Sequence, residues 1–559
     1  MIDSEMDLPE LVQTEEGSSL FYRGKWLYSR QKPVSRAIAL AQSIPLLEEC
    51  IYLVYSPCLW YGVCELLTRL PPSSAILAIE CDPALYRLAS ENMPARIRDA
   101  LQARRLAFIA QVPESHFFNT ISILGRFRKV QEVLLSSGWT IFPEYYKALP
   151  QTILKYFSDY YRSRITLTRL GRLWIRNTLK NLLALPAIPA PLPHTAKPVL
   201  VCGAGVSLYN ALQWISINRD RFFILACDTA FGTLRDAGIV PDSIVCLDAQ
   251  FYNVIDLIGN KEKGIVPHGF LDMSAHPSLF KNIFQSITPL MTMWAQTELL
   301  ATIKAQPYDF LIVDPYGSVG LTALSLAHLI AEKEIWITGL DFAFPPGWTH
   351  APATHIDRYE MMHENRLYKR KLSWNMTYRE GSNKVTSFLR SDPALNMYHA
   401  LCNTLIEQFR DDCIIVDMRR NTGLPLGKAV RVCSEPDFIR FDGTMNTWSL
   451  KQQNQNENLE GSPAFRGIHS MQSEKKNSLF YPLIANEYKK INELREMLKY
   501  GADPELLRSK LARLDYLFIH FPDYERVQSL ELDLLKRIAC ECEYWMYFIK
   551  KICPECANH

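Results

Sequence analysis

The sequence predicts an α/β architecture built on parallel sheets, and three observations carry that prediction. Short apolar runs recur at 50–55, 74–79, 199–202, 222–227, 243–247 and 335–338, and most end on an acidic residue or a glycine turn. Runs of that length and purity read as strands buried on both faces, as parallel sheets require. Helical patterns alternate with them, which is the order of βαβ units. A proline-rich stretch at 185–193 and a polar stretch at 451–477 then divide the pattern. The expected domains are 1–185, 197–442 and 478–559.

The first domain opens on a helical pattern at 34–47, a strand at 50–55, a helix at 63–69 and a strand at 74–79. Its first turn reads Ser56-Pro57-Cys58-Leu59-Trp60-Tyr61-Gly62. A nucleotide-binding fold would place glycines there. Trp60 and Tyr61 are too bulky for close phosphate approach, so the expectation is a scaffold despite Glu80 and Asp82 after the second strand. A long helix over 156–185 follows. Its Arg169, Arg172, Arg176 and Lys180 are read as a solvated face behind an apolar stripe that includes Leu167, Leu170 and Trp174.

The central domain centres on Lys197 to Asp248. The strand 199–202 runs into Gly203-Ala204-Gly205 and a helix starting near Val206-Ser207. Glycines at a strand-to-helix turn permit close ligand approach, and the helix start favours anions. The next strands end on Asp228-Thr229 and on Asp248. Ligands of parallel sheets bind beyond the strands' carboxyl ends, so these groups share one rim. The competing reading makes the two aspartates helix caps or turn residues. Strands at 264–273, 290–294 and 310–313 extend the sheet, with His268, Asp272 and His276 near the end of the first of them. Gly317-Ser318 forms another strand-to-helix turn, in which Ser318 either caps the helix or meets a ligand. The strand 335–338 ends on Gly339-Leu340-Asp341. The loop 343–350 after it, rich in Pro and aromatics, is read as a lid or acceptor wall. Among His350, His355 and His363, the first is the general-base candidate because it follows Asp341 across that loop.

The last domain is expected to be a small antiparallel helical array. Cys553-Pro554-Glu555-Cys556, with Cys540 and Cys542, raises zinc as a candidate. Against it, Cys540 and Cys542 point to different faces of one helix. Composition excludes other classes. Hydrophobic residues make up 48% and charged residues 21%, as in a soluble globular protein. The formal charge of +2 gives no electrostatic case for nucleic acid. No apolar run reaches the roughly 20 residues of a membrane helix. The acidic start MIDSEMDLPE is unlike a signal peptide. Fourteen cysteines, several inside strands, read as reduced thiols in a cytoplasmic protein.

Four ordered blocks resemble the Maf proteins, the motility-associated flagellin glycosyltransferases: VCGAGVSL (201–208), ACDTAFGTLRDAGIVPDSIVCLD (226–248), YGSVGLTALSLA (316–327) and ITGLDFAFPPGWTH (337–350). The resemblance implies a central domain like the bacterial sialyltransferases that use CMP-sugars. It also implies a degenerate methyltransferase-like domain before it and helices after it. Carried over block by block, it places Gly203, Gly205, Ser207, Asp228, Thr229, Asp248, Gly317 and Ser318 at the nucleotide-sugar, and Asp341 and His350 at the reacting end. Val206 stands where the family pattern has Pro. The implied reaction moves a nonulosonic acid from a CMP-sugar to Ser or Thr of flagellin, in a bacterial cytoplasm. No D-x-D occurs in the central domain, so no obligatory cofactor or metal is expected. Two alternatives stand beside this: a hydroxymethylpterin-type pyrophosphokinase using ATP and Mg²⁺ on Asp228, Asp248 and Asp341, and a non-enzymatic flagellin-binding or chaperone protein.

Overall fold

A computed structural model describes residues 8–110, 120, 127–257, 267–281, 283–367, 371–419, 422–427, 430–433 and 478–557. The expected linker at 451–477 and the end of the expected central domain lie outside the described residues. Two compact units form, Met1–Arg169 with His520–Ser529, and Leu170–Ile519 with Leu530–His559. The mixed α/β class with parallel sheets is as the strand pattern predicts.

The first unit begins with an antiparallel sheet that the sequence reading did not anticipate: β1 (Glu10–Thr14), β2 (Gly17–Tyr22) and β3 (Lys25–Trp26). Then come α1 (Pro33–Ser43), β4 (Cys50–Tyr55), α2 (Val63–Arg69), β5 (Ala75–Glu80), α3 (Pro83–Glu91), α4 (Ala95–Gln102), β6 (Leu106–Ala110) and β7 (Lys129–Val133). The parallel order is β6-β5-β4-β7, which puts the topological switch beside the end of β4. That crevice is filled from within. Ser56 Oγ donates to Glu80 Oε2 at 2.6 Å, and a Cβ on Gly138 would fall 2.0 Å from Ser56 Oγ. Asp82 caps α3 by accepting from the Ala84 and Leu85 N–H groups, with Pro83 at the first helical position. The acidic pair after β5 is thus bonded within its own fold.

Helix α5 (Pro143–Ala184) starts well before the expected 156. Its last turns belong to the second unit and are not solvated as expected. Arg172 pairs with Glu541 and lies 4.9 Å from the centre of the Tyr544 ring, and Arg176 lies 5.4 Å from that of Phe548. The stems of long cations cover apolar surface well, which is why aromatics on a facing helix attract them. On the same stretch Asn177 and Asn181 donate to the carbonyls of Ala249, Ser274, Met273 and Ala275, fixing the loops at two strand ends.

The second unit carries β8 (Val199–Cys202), α6 (Val206–Ile217), β9 (Phe223–Cys227), α7 (Asp228–Asp236), β10 (Ser243–Cys246), α8 (Tyr252–Ile255), β11 (His268–Asp272), β12 (Ile287–Thr292), α9 (Glu298–Lys304), β13 (Leu311–Val313), α10 (Val319–Ile330) and β14 (Glu334–Thr338). After these come α11 (His355–His363), α12 (Lys371–Thr377), β15 (Asn383–Lys384), β16 (Arg390–Ser391), α13 (Pro393–Phe409), β17 (Ile414–Asp417) and β18 (Arg431–Val432). The nine-stranded order is β13-β12-β11-β10-β9-β8-β14-β17-β18, parallel throughout. The chain winds outward from β8 to one edge, returns through α10, and continues from β14 to the other. The switch point is therefore between β8 and β14. The central strands and helices α6 and α10 bury one continuous apolar core, including Val201, Leu208, Trp214, Leu225, Leu324 and Ile337.

The unit ends in α14 (Tyr481–Tyr500), α15 (Pro504–Arg513) and α16 (Leu532–Ile552). Cys553 and Cys556 are joined as a disulfide, Cys540 is exposed and Cys542 buried, so the four thiols do not converge. The other twelve cysteines are unpaired, so the expectation of reduced thiols is met at those twelve and corrected at Cys553 and Cys556. Among the described residues no helix is long and apolar enough to cross a membrane.

Candidate functional site

At the switch point two glycine turns touch. Gly203 N–H donates to Thr338 O at 2.9 Å and Gly205 N–H to Gly339 O at 2.8 Å. A Cβ on Gly203 would lie 2.3 Å from Gly339 O, and one on Gly339, at φ +71°, would lie 2.0 Å from Gly203 O. These glycines are small because two backbones cross there. Beyond them Asp341 is buried, and its carboxylate accepts from Ser207 N–H at 2.9 Å and from Ser207 Oγ. Gly339 N–H in turn donates to Ser207 Oγ at 2.7 Å. Burial pushes the Asp341 carboxyl up to about 6, against the pull of the Ser207 bonds. The start of α6, read from sequence as an anion seat, thus already holds a carboxylate of this chain. Arg419, fully buried and paired with Asp417 at 2.9 Å, donates to Leu340 O at 2.6 Å and locks the same turn.

The second turn precedes α10. Gly317 takes φ +73°, and Ser318 is the N-cap residue, yet its hydroxyl makes no capping bond. A Cβ on Gly320 would meet Leu340 Cδ2 at 2.4 Å, the methyl that a Cβ on Gly203 would meet at 2.5 Å. Leu340 therefore sits between the two turns, and Ser318 adjoins the switch point.

The third group lies at the ends of β9 and β10. Asp228 opens α7, is buried, and accepts from Thr229 N–H at 2.8 Å and Asn253 Nδ2 at 3.4 Å. Burial, with the Asp256 and Asp248 charges adding, holds it up to about 7, opposed by those two bonds. Asp248, partly buried, accepts from Gln250 N–H at 2.9 Å. Asp256, at the end of α8 and buried, grips His355 twice. It accepts the backbone N–H at 2.9 Å and meets ring Nδ1 at 2.6 Å. Burial pulls His355 down, but the Asp256 bond and charge outweigh it, and Asp228 and Asp248 add to a net rise. Burial, helped by the neighbouring His355 and opposed by the Asp256 charge, takes His350 down to about 4. Its ring Nδ1 lies 3.3 Å from Thr349 Oγ1.

The expected lid, 343–350, exchanges backbone bonds with Arg390 through Phe344, at 2.9 and 3.0 Å, and the residues just after it are anchored as well. Ala351 N–H donates to Ala204 O at 2.8 Å, in the first glycine turn, and Thr233 Oγ1 donates to Pro352 O at 2.6 Å, on α7. This loop joins the glycine turns to the carboxylate–histidine group. Ser207 and Asp341 thus meet directly, Ser318 joins them through Leu340, and Asp228, Thr229, Asp248 and His350 gather at the other end of the loop. His268 lies between Ser243 and Thr288, and Asp272 binds Ser274 and Thr292, so both are satisfied within the sheet. Sequence reasoning missed Asp256 and Arg419 and passed over His355. A signal was present for Asp256: a carboxylate inside the apolar run Val254-Ile255-Asp256-Leu257 must find a partner.

Residues 176–347 match a family model described as "6-hydroxymethylpterin diphosphokinase MptE-like". A protein of Treponema pallidum (strain Nichols), described as uncharacterized, is 26% identical over 566 aligned residues, covering 97% of this chain and 95% of that protein. A second uncharacterized protein of the same strain is 37% identical over 83 residues, 14% of this chain and 40% of that protein. Among solved structures, the Maf glycosyltransferase from Magnetospirillum magneticum AMB-1 aligns with a TM-score of 0.56 at 13% identity, over 98% of this chain and 90% of that one. At that identity the likeness is one of fold, and it spans both units.

Proposed function

We propose that this chain is a glycosyltransferase that moves a nonulosonic acid, of the sialic or pseudaminic type, from a CMP-activated donor to Ser or Thr hydroxyls of flagellin. The observation that carries the reading is the convergence at one sheet rim. Two turns meet at the switch point, and a loop ties them to a group of buried carboxylates and histidines. The full-length fold likeness to a Maf glycosyltransferase supports it. The donor phosphate is assigned to the start of α10, where Ser318 Oγ is not used as a cap and a helix start leaves its first N–H groups without intrahelical partners. Those groups stabilise the charge of the departing nucleotide. Gly203, Gly205, Ser207 and Asp341 hold the turn that shapes the site. Asp228, Thr229, Asp248, Gly317 and His350 line it. No obligatory metal is assigned, since the region lacks a D-x-D. The twelve unpaired cysteines favour a cytoplasmic setting. The test is to incubate the protein with CMP-nonulosonates and flagellin and weigh the flagellin. A mass gain of one nonulosonate per site supports the reading, and an unchanged mass with active controls rejects it.

The family match at 176–347 favours one other reading, a pterin pyrophosphokinase. It would use ATP and Mg²⁺, with Asp228 and Asp248 facing the ion; Asp341 is committed to Ser207. A melting-temperature rise with Mg²⁺-ATP and none with CMP would select it.

A further inference from the structure

The geometry points to His355, oriented by Asp256, as the group that takes the acceptor proton. This rests on the glycosyl-transfer reading. Four observations place it there. Asp256 holds His355 by both the backbone N–H and ring Nδ1, at 2.9 and 2.6 Å, so one carboxylate fixes ring position and tautomer together. Thr354 caps the helix start on which His355 sits, by accepting from Asp357 N–H. The His355 side chain is 14% exposed while Asp256 is 2% exposed, so the carboxylate is sealed and the imidazole is reachable. His350, by contrast, has its ring Nδ1 3.3 Å from Thr349 Oγ1 and no carboxylate bonded to it, and burial outweighs the pull of the Asp256 charge and keeps it neutral. The charges facing His355 come from three elements: Asp256 from α8, Asp228 from α7, and Asp248 after β10. His350 faces it from the loop. All three carboxylates favour the imidazolium, which strengthens the base.

In the step, the acceptor oxygen forms its bond to the anomeric carbon while His355 Nε2 takes the hydroxyl proton. The bond from that carbon to the phosphate oxygen breaks, and its electron pair leaves with CMP. The proton then passes from the imidazolium to water. Asp256 is the positioning residue.

Two measurements on the full chain test this. Histidine labelled with ¹³C at Cε1 is followed by NMR against pH, and the resonance lost in His355→Asn is assigned to His355. It should titrate above the ordinary histidine range, and Asp256→Asn should lower its midpoint at least tenfold in proton concentration. Transfer is then measured with CMP-N-acetylneuraminate and flagellin. His355→Asn keeps a group that can bond Asp256, so its melting temperature should hold while kcat falls about 100-fold or more at little-changed KM. In Asp256→Asn the acid limb of kcat should move to lower pH with the NMR midpoint. A midpoint unmoved by Asp256→Asn overturns the pairing. A moved midpoint with an unmoved kcat limb reduces the pair to structure and overturns the role. Loss of activity in His350→Asn but not in His355→Asn overturns it as well. A wild type with a high His355 midpoint but no transfer from any CMP-nonulosonate refutes the donor reading and this assignment with it.

Discussion

Asp228→Asn should make the second unit more stable at alkaline pH, an unusual result for a buried polar position. The carboxyl is 1% exposed and is held from its ordinary 3.8 up to about 7, chiefly by burial. A group whose folded value lies above its unfolded value favours the fold while protonated. That contribution is whole below 3.8 and is lost as pH rises through about 7. At pH 8 the folded protein carries a buried charge costing about 4 kcal/mol relative to the protonated form. At pH 5 only about 1.5 kcal/mol of that has been spent, through protonation on folding. Asparagine cannot ionise, and its side-chain oxygen can still accept from Thr229 N–H. The variant should therefore gain on wild type by roughly 3 kcal/mol between pH 5 and pH 8, or about 5 °C in the transition of this unit. Glu80 of the first unit, also held up to about 7, titrates in both proteins and drops out of the difference. Calorimetric melting of both proteins across pH 4.5–8.5 measures it. A difference constant over that range would refute a buried charge at Asp228. Gained stability with lost transfer would mark Asp228 as a site retained at a cost in folding free energy.

Gly339→Ala should cost about 3 kcal/mol or more, since a Cβ at φ +71° would fall 2.0 Å from Gly203 O. Urea melting reads it, and a loss under about 1 kcal/mol would mean the turns do not cross so closely. Ser318→Ala should leave stability within about 0.5 kcal/mol, because the hydroxyl caps nothing. It should at least halve the melting-temperature rise that CMP gives the wild type. An undiminished rise would remove the start of α10 from the donor site.

The sheet was legible because buried parallel strands leave a plain mark. Runs such as Val199–Cys202 and Ile335–Ile337 have no other use for three or four consecutive apolar residues. The strand β14 begins one residue earlier, at Glu334. The antiparallel β1–β3 was not legible, since its strands mix polar and apolar residues within a few positions. The rim positions were legible as strand ends, but the contacts the residues make there were not. Glycines announce a close approach without saying to what, and Gly203 approaches Gly339 instead of standing bare before a ligand. Asp341, expected at the reacting end, is bonded to Ser207. Asp256 and His355 are far apart in the chain, so nothing in either segment alone announces the pair. The cations of α5 looked solvated because the aromatic helix they face lies hundreds of residues later.

One titration weighs the whole account: calorimetry of the wild-type chain against CMP and, separately, against Mg²⁺-ATP. Binding of one CMP per chain, weakened in Ser318→Ala and not competed by ATP, is the predicted result. Tight binding of Mg²⁺-ATP with no heat from CMP would contradict it.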